Sequence, residues 1–176
     1  TVPRFSTELP EFAEAEKAVQ ARIDHLMGIK GKESVDSIHK KLGHIMWEYV
    51  GMGRTEEGLK TALKLLKEIR QEFETNLFIP GSTEGVNIEL EKALRLNDFI
   101  TMGELIAYDA LNRNESCGGH FREEYQTEEG EAKRDDENYF YVSCWEYQGS
   151  DDVAPVLYKE PLVYEAIKVQ TRNYKS

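Results

Sequence analysis

Cysteine, proline, positive charge and long apolar runs are all scarce in this chain, and each scarcity excludes something. Of 176 residues only two are cysteine, Cys117 and Cys144. They could close one disulfide at most, so there is no cysteine framework, and a reducing compartment is the default. Five prolines and 13 glycines, spread without a low-complexity tract, argue against a disordered or repetitive linker. No apolar stretch approaches the roughly 20 residues that cross a bilayer, and no hydrophobic signal region lies near the N-terminus. Direct membrane insertion is therefore not expected. Lys and Arg number 22 against 33 Asp and Glu, a net charge of -11, and no cationic run exceeds two residues. A nucleic-acid or anionic-lipid surface is not expected on that balance.

What the chain has is helical periodicity. With 40% hydrophobic and 31% charged residues it can build one ordinary core. Phe12, Ala15, Val19, Ile23 and Leu26 recur at steps of three and four, which predicts an amphipathic helix from residue 7 or 8 to 27, with Pro10 in its first turn. Ser34 caps a second helix striped by Val35, Ile38, Leu42, Ile45 and Tyr49. Thr55 caps a third, carrying Leu59, Ala62, Leu63, Leu66, Ile69 and Phe73. Leu77, Phe78 and Ile79 are expected to tack the next loop to the core, with Pro80-Gly81-Ser82 as a turn. A fourth helix is predicted over 87–111. From Phe99 onward it is apolar nearly all round, so it needs cover on several sides, from the three amphipathic helices or from a neighbouring domain. Residues 112–124 and 128–137 read as loop. Two strands are predicted over 139–147 and 162–169 from their aromatic and β-branched content. The expected fold is mainly α: a three- to four-helix up-down bundle over 1–111, then a charged glycine loop and a small β-strand pair over 112–176 packed on it, one domain overall.

Few groupings suggest chemistry. Cys117-Gly-Gly-His120 has a ligand-like spacing and Cys144 could join it, but structural zinc takes four ligands, and His25, His39 and His44 all fall on the first two helices. The Cys/His pair is also short of an orienting third group for nucleophilic work. Glu128, Glu129, Glu131, Asp135, Asp136 and Glu137 do not follow calcium-loop spacing. Gly51-Met-Gly53-Arg54 lacks a third glycine and a preceding strand, and no Walker sequence is present. No catalytic residue, cofactor ligand or metal ligand is assigned. One segment does stand out, RNESCGGHFREE over 113–124, where a helix runs into two glycines flanked by charge. Arg113, Glu115, His120 and Arg122 are the candidates there, as docking or loop-ordering residues. From the residues alone, a stand-alone helical interaction module remains an open alternative.

At this segment the sequence resembles the C-terminal helical region of the succinate dehydrogenase and fumarate reductase flavoprotein subunit. That family carries R-x-E-S-R-G-x-H-x-R-E-D, then R-D-D-E-N and an aromatic. Arg113, Glu115, Ser116, Gly118, His120, Arg122 and Glu123 match the first, and Arg134 through Tyr139 the second. Upstream, HIMWEYVGMGRTEEGL over 44–59 is similar to the family's helix, glycines and helix restart. Cys117 stands where the family usually has arginine, and Glu124 where it usually has aspartate. The tail of L-aspartate oxidase is similar too. The resemblance implies a fragment of a longer FAD-dependent oxidoreductase, in keeping with a first residue Thr1 in place of Met. It implies that FAD and the substrate site belong to preceding domains and that this fragment is inactive alone. The implied partners are the flavin domain of the same chain, an iron-sulfur subunit and a membrane anchor, on the cytoplasmic side of the inner membrane.

Overall fold

The computed structural model describes residues 6–150 and 153–170. It is mainly helical, with a two-stranded antiparallel sheet near the C-terminus. The helices are α1 Pro10–Gly28, α2 Val35–Val50, α3 Glu56–Asn76, α4 Ile88–Asn112 and the short α5 Asp136–Tyr139; the strands are β1 Tyr141–Glu146 and β2 Val156–Pro161.

Helix starts follow the capping residues. Pro10 opens α1, where its missing N–H costs nothing. The Ser34 hydroxyl accepts the Ser37 N–H at 3.1 Å and starts α2, and Thr55 accepts the Gly58 N–H at 3.0 Å to start α3. At α4 the cap is the Asn87 side chain, which accepts from Leu90 and also donates to the Pro80 and Ser82 carbonyls, tying the preceding turn to the helix.

The chain divides into two compact units. The first runs up to Glu48 and takes in Ala62–Leu105. Its core is drawn from the periodic stripes of α2, Val35, Ile38 and Leu42, and of α3, Leu66, Ile69 and Phe73, together with Ala93, Leu96 and Ile100 of α4. Gly103 lets α4 come close, since a Cβ there would meet Met46, Leu66 and Leu42 at 3.1 to 3.6 Å. Polar contacts flank that core. Lys41 bonds Glu72 at 2.7 Å, Arg70 bonds Glu104 at 2.5 Å, and Arg22 of α1 reaches the Leu94 carbonyl at 3.3 Å. His39 sets its ring 5.5 Å from Phe99.

The segment after α3 lies against the one after α1. Gly31 N–H donates to Leu77 at 3.0 Å, and Lys32 and Glu33 donate to the Asn76 carbonyl at 2.9 Å. Leu77 and Ile79 are buried while Phe78 is exposed. Extended backbone alternates its side chains, so of the three expected anchors only two can face inward. Two helices keep part of their apolar surface exposed. Within α1 only Leu26 is buried, and Phe12 and Val19 stay exposed. On α4, Ile100 and Ala107 are buried, but Phe99, Met102, Leu105 and Ile106 are exposed.

The second unit joins Tyr49–Thr61 to the chain from Ile106 onward. Its sheet is a hairpin in which Tyr141 faces Pro161 and Glu146 faces Val156. The expected first strand is present; the second lies at Val156–Pro161 and not over 162–169. Register decides this. The six residues of β1 are fully paired by 156–161, and just beyond Pro161 the Leu162 N–H donates to the Phe140 carbonyl, which already precedes β1. Pro161 sits at a strand end, where a missing donor is tolerated. An isolated hairpin is marginal in water, and this one is anchored by Trp145, whose indole N–H donates to Asp109 at 2.7 Å and whose ring meets Tyr108 edge-on at 5.1 Å. Residues 135–139, expected as loop and strand, include the helical turn α5, capped by the Asp135 carboxylate on the Asn138 N–H.

Gly31 supplies a direct test of the first unit. A Cβ there would lie 1.9 Å from the Asn76 carbonyl, whereas one at Gly28 meets nothing within 4 Å. Gly31→Ala is expected to lower stability by about 1–3 kcal/mol in urea unfolding, and Gly28→Ala to leave it within about 0.5 kcal/mol.

Candidate functional site

Beyond α4 the chain folds back on itself through residues 113–124. Cys117 and His120 exchange backbone bonds, N–H to O at 2.8 and 3.1 Å, around Gly118 and Gly119. Gly118 takes φ +60°, which a residue with a Cβ adopts only with strain. One step further in, the buried Ser116 hydroxyl accepts the Arg122 N–H at 2.8 Å and donates to the Arg122 carbonyl at 3.1 Å. This small hairpin brings the charged residues on either side of the glycines together.

Each of the four candidate residues has its partners within the second unit. Glu115, 2% exposed, accepts from Arg113 Nε at 2.9 Å with one oxygen and from the Asp135 N–H at 2.9 Å with the other. Arg113 also donates to the Tyr139 carbonyl at 2.6 Å, with its guanidinium over the rings of Tyr139 and Tyr141. The two motif stretches, 113–124 and 134–139, are thereby one bonded structure. His120 bonds the Arg113 carbonyl through Nε2 and Arg54 through Nδ1, both at 2.9 Å.

Arg122 is 1% exposed and fully directed. One terminal nitrogen donates to the Ala110 and Leu111 carbonyls at 3.0 and 3.4 Å, in the last turn of α4. Its Nε donates to Glu124 at 3.1 Å, and its cationic end lies over Tyr125. Glu124 in turn accepts the Glu56 N–H at 2.5 Å, in the first turn of α3. A cation therefore meets the negative end of one helix and an anion the positive end of another, joined by a salt bridge. Burial raises the affinity of Glu124 for a proton, but the Glu56 N–H, its own N–H and Arg122 outweigh that and hold the carboxyl below the usual range.

Sequence reasoning missed Arg54, Ser116 and Asp109 as members of this network. Arg54 bonds the Val50 and Gly51 carbonyls as well as His120, and runs beside 121–123 with its backbone N–H and C=O. Ser116 and Arg54 lie inside the quoted motif stretches, which is the one signal that could have singled them out. The arrangement does not offer acid–base chemistry of the usual kind, since both His120 nitrogens are engaged. Cys117 and Cys144 are exposed free thiols. Among the described residues no group of three or more His, Cys, Asp or Glu is placed to hold a metal. Gly51 and Gly53 do not form a dinucleotide-binding turn: they precede a helix but follow α2 in place of a strand, and the Glu123 carboxylate lies 2.8 Å from where a Gly53 Cβ would be. An acidic group at that spot opposes a pyrophosphate.

Arg122→Ala removes a guanidinium that satisfies two helix carbonyls and a carboxylate, and is expected to cost about 3 kcal/mol of stability in urea unfolding. Arg122→Lys should recover only part of it, since an ammonium cannot span Ala110, Leu111 and Glu124 with a planar fork. Ser116→Ala should cost about 1–3 kcal/mol by leaving the buried Arg122 backbone without its partner.

Residues 39–174 match the family described as fumarate reductase flavoprotein C-term. The fumarate reductase flavoprotein subunit of Helicobacter pylori is 30% identical over 146 residues, 83% of this chain and 20% of that protein. A chloroplastic L-aspartate oxidase of Nicotiana tabacum is 37% identical over 88 residues, 50% of this chain and 13% of that protein. A quinol-fumarate reductase solved with menaquinol molecules has the same fold, with a TM-score of 0.75 at 24% identity, over 96% of this chain and 28% of that one. The chain thus spans a fifth or less of the length of these two curated relatives. With the greater part of its length matched, and the charged glycine loop inside the match, this chain belongs to the fumarate reductase flavoprotein C-terminal family.

Proposed function

We propose that this chain is the C-terminal structural domain of a flavoprotein subunit that interconverts succinate and fumarate, with FAD and the substrate held by other parts of the subunit. The observation that carries this reading is the bonding of the two motif stretches through Glu115 to Asp135 and Arg113 to Tyr139, within the matched region. In this role Arg113, Glu115, His120 and Arg122 order the glycine loop, and the chain by itself turns over nothing. The exposed Phe99, Met102, Leu105 and Ile106 of α4 supply an apolar strip suited to docking on the flavin domain of the same polypeptide. The further partners are an iron-sulfur subunit and a membrane anchor, on the cytoplasmic side of the inner membrane. No helix among the described residues is long and apolar enough to cross a membrane.

A second reading, the tail of an L-aspartate oxidase, is favoured by the 37% identity over 88 residues to the Nicotiana tabacum enzyme. Capture of the native protein with an antibody to this domain separates the two. A polypeptide several times larger than 20.3 kDa with flavin absorbance and fumarate-linked turnover is the expected result. Peroxide production from L-aspartate in the captured material would select the second reading, and a colourless native protein of 20.3 kDa would overturn both. Arg122→Ala in the whole subunit is expected to reduce the yield of assembled, flavin-loaded enzyme; full assembly of that variant would count against the ordering role.

A further inference from the structure

The surroundings of His120 fix where its proton sits. Arginine has donors only, so the Arg54 terminal N–H group 2.9 Å from Nδ1 makes that nitrogen the acceptor. The Arg113 carbonyl oxygen has only lone pairs, so Nε2, 2.9 Å away, must donate. One form of the ring satisfies both: neutral, with its hydrogen on Nε2. A second proton would have to enter at Nδ1, setting N–H against N–H and cation against cation. We propose that His120 is an acid-sensitive clasp, which when neutral ties the turn between α2 and α3 to the loop after α4, and which opens when Nδ1 is protonated.

The charged groups around the ring support this. Arg54 faces it from the α2–α3 turn, and Arg113 and Arg122 from its own loop. The nearby anions have partners other than the imidazole: Asp109 of α4 accepts from the Trp145 indole and acts on Arg54 through its charge, Glu115 bonds Arg113, and Glu124 bonds Arg122. Burial holds the ring below the usual imidazole range; the bond to the Arg113 carbonyl opposes this, and the three arginines reinforce it. Beside the clasp, Arg54 N–H donates to the Phe121 carbonyl at 3.0 Å and Glu123 N–H to the Arg54 carbonyl at 2.8 Å, so these two bonds report whether it is closed.

The direction of the pH effect follows. The unfolded chain takes up a proton at His120 near the ordinary value of about 6.5, and the folded chain resists it. Stability therefore declines as pH falls through the ordinary histidine range and levels off below the folded-state value, changing the folding equilibrium by at most tenfold per pH unit. The inference rests on the bonds to Arg54 and Arg113, and it stands or falls separately from the succinate and fumarate reading.

Long-range proton–nitrogen NMR correlation on the 176-residue chain, from pH 8 to 4.5, tests it together with amide hydrogen exchange. The Nε2–H pattern is expected at pH 7.5, with a midpoint below 6.5. Protection of the Arg54 and Glu123 amides, corrected for intrinsic exchange, should fall about tenfold or more through the same transition. Arg54→Gln keeps a donor to Nδ1 but removes the charge, so it should retain the tautomer and raise the midpoint. A ring protonated on Nδ1 at pH 7.5, a midpoint at or above 6.5, amide protection unchanged through the titration, or a midpoint unmoved in Arg54→Gln would each overturn the clasp.

Discussion

The guanidinium of Arg122, almost wholly withdrawn from water, is the constraint on which the second unit depends. A charge in that position is tolerable only if its donors are satisfied, and the groups that satisfy them are themselves orphans of secondary structure. The Ala110 and Leu111 carbonyls have no partner further along α4, and the Glu56 N–H has none before α3; Arg122 meets the first two directly and the third through Glu124. One side chain thus settles a helix end, positions a carboxylate for another helix start, and pins the backbone that Ser116 grips from the other side. The glycine pair at 118 and 119 makes this geometry reachable, because only a tight reversal puts Ser116 opposite Arg122.

Local signals in the sequence were read well where local physics decides. Ser34 and Thr55 begin α2 and α3 because a hydroxyl before an apolar stripe satisfies a helix N–H that would otherwise go unpaired. Where a partner decides, the sequence was less legible. The apolar residues over 162–169 have strand character, yet β1 has no free length left to pair with them. The acidic run over 128–137 reads as loop, and its Asp135 proves to be a cap for α5 and a backbone donor to Glu115.

The charged loop shows the same division. Glycines amid alternating charge mark out Arg113, Glu115, His120 and Arg122 as a group, since tight backbone and opposed charges together imply convergence. Arg54 also stands beside glycines and charge, but nothing local ties it to that group, because its bond to His120 joins residues 66 positions apart. Cys117 is exposed at the hairpin, and its bonds to His120 in the turn are backbone ones.

That separation along the chain also bears on the order of events during synthesis. The stretch from Tyr49 to Thr61 leaves the ribosome long before Phe121, Glu123 and Glu124, the residues that accept from it and donate to it. Until translation has passed them, the Arg54 turn has bonds only to Val50 and Gly51, and the first turn of α3 lacks the carboxylate on Glu56. The first unit, too, draws on both sides of this stretch, so the nascent chain can consolidate its early helices while the turn between them waits, solvated, for a loop that arrives 66 positions later.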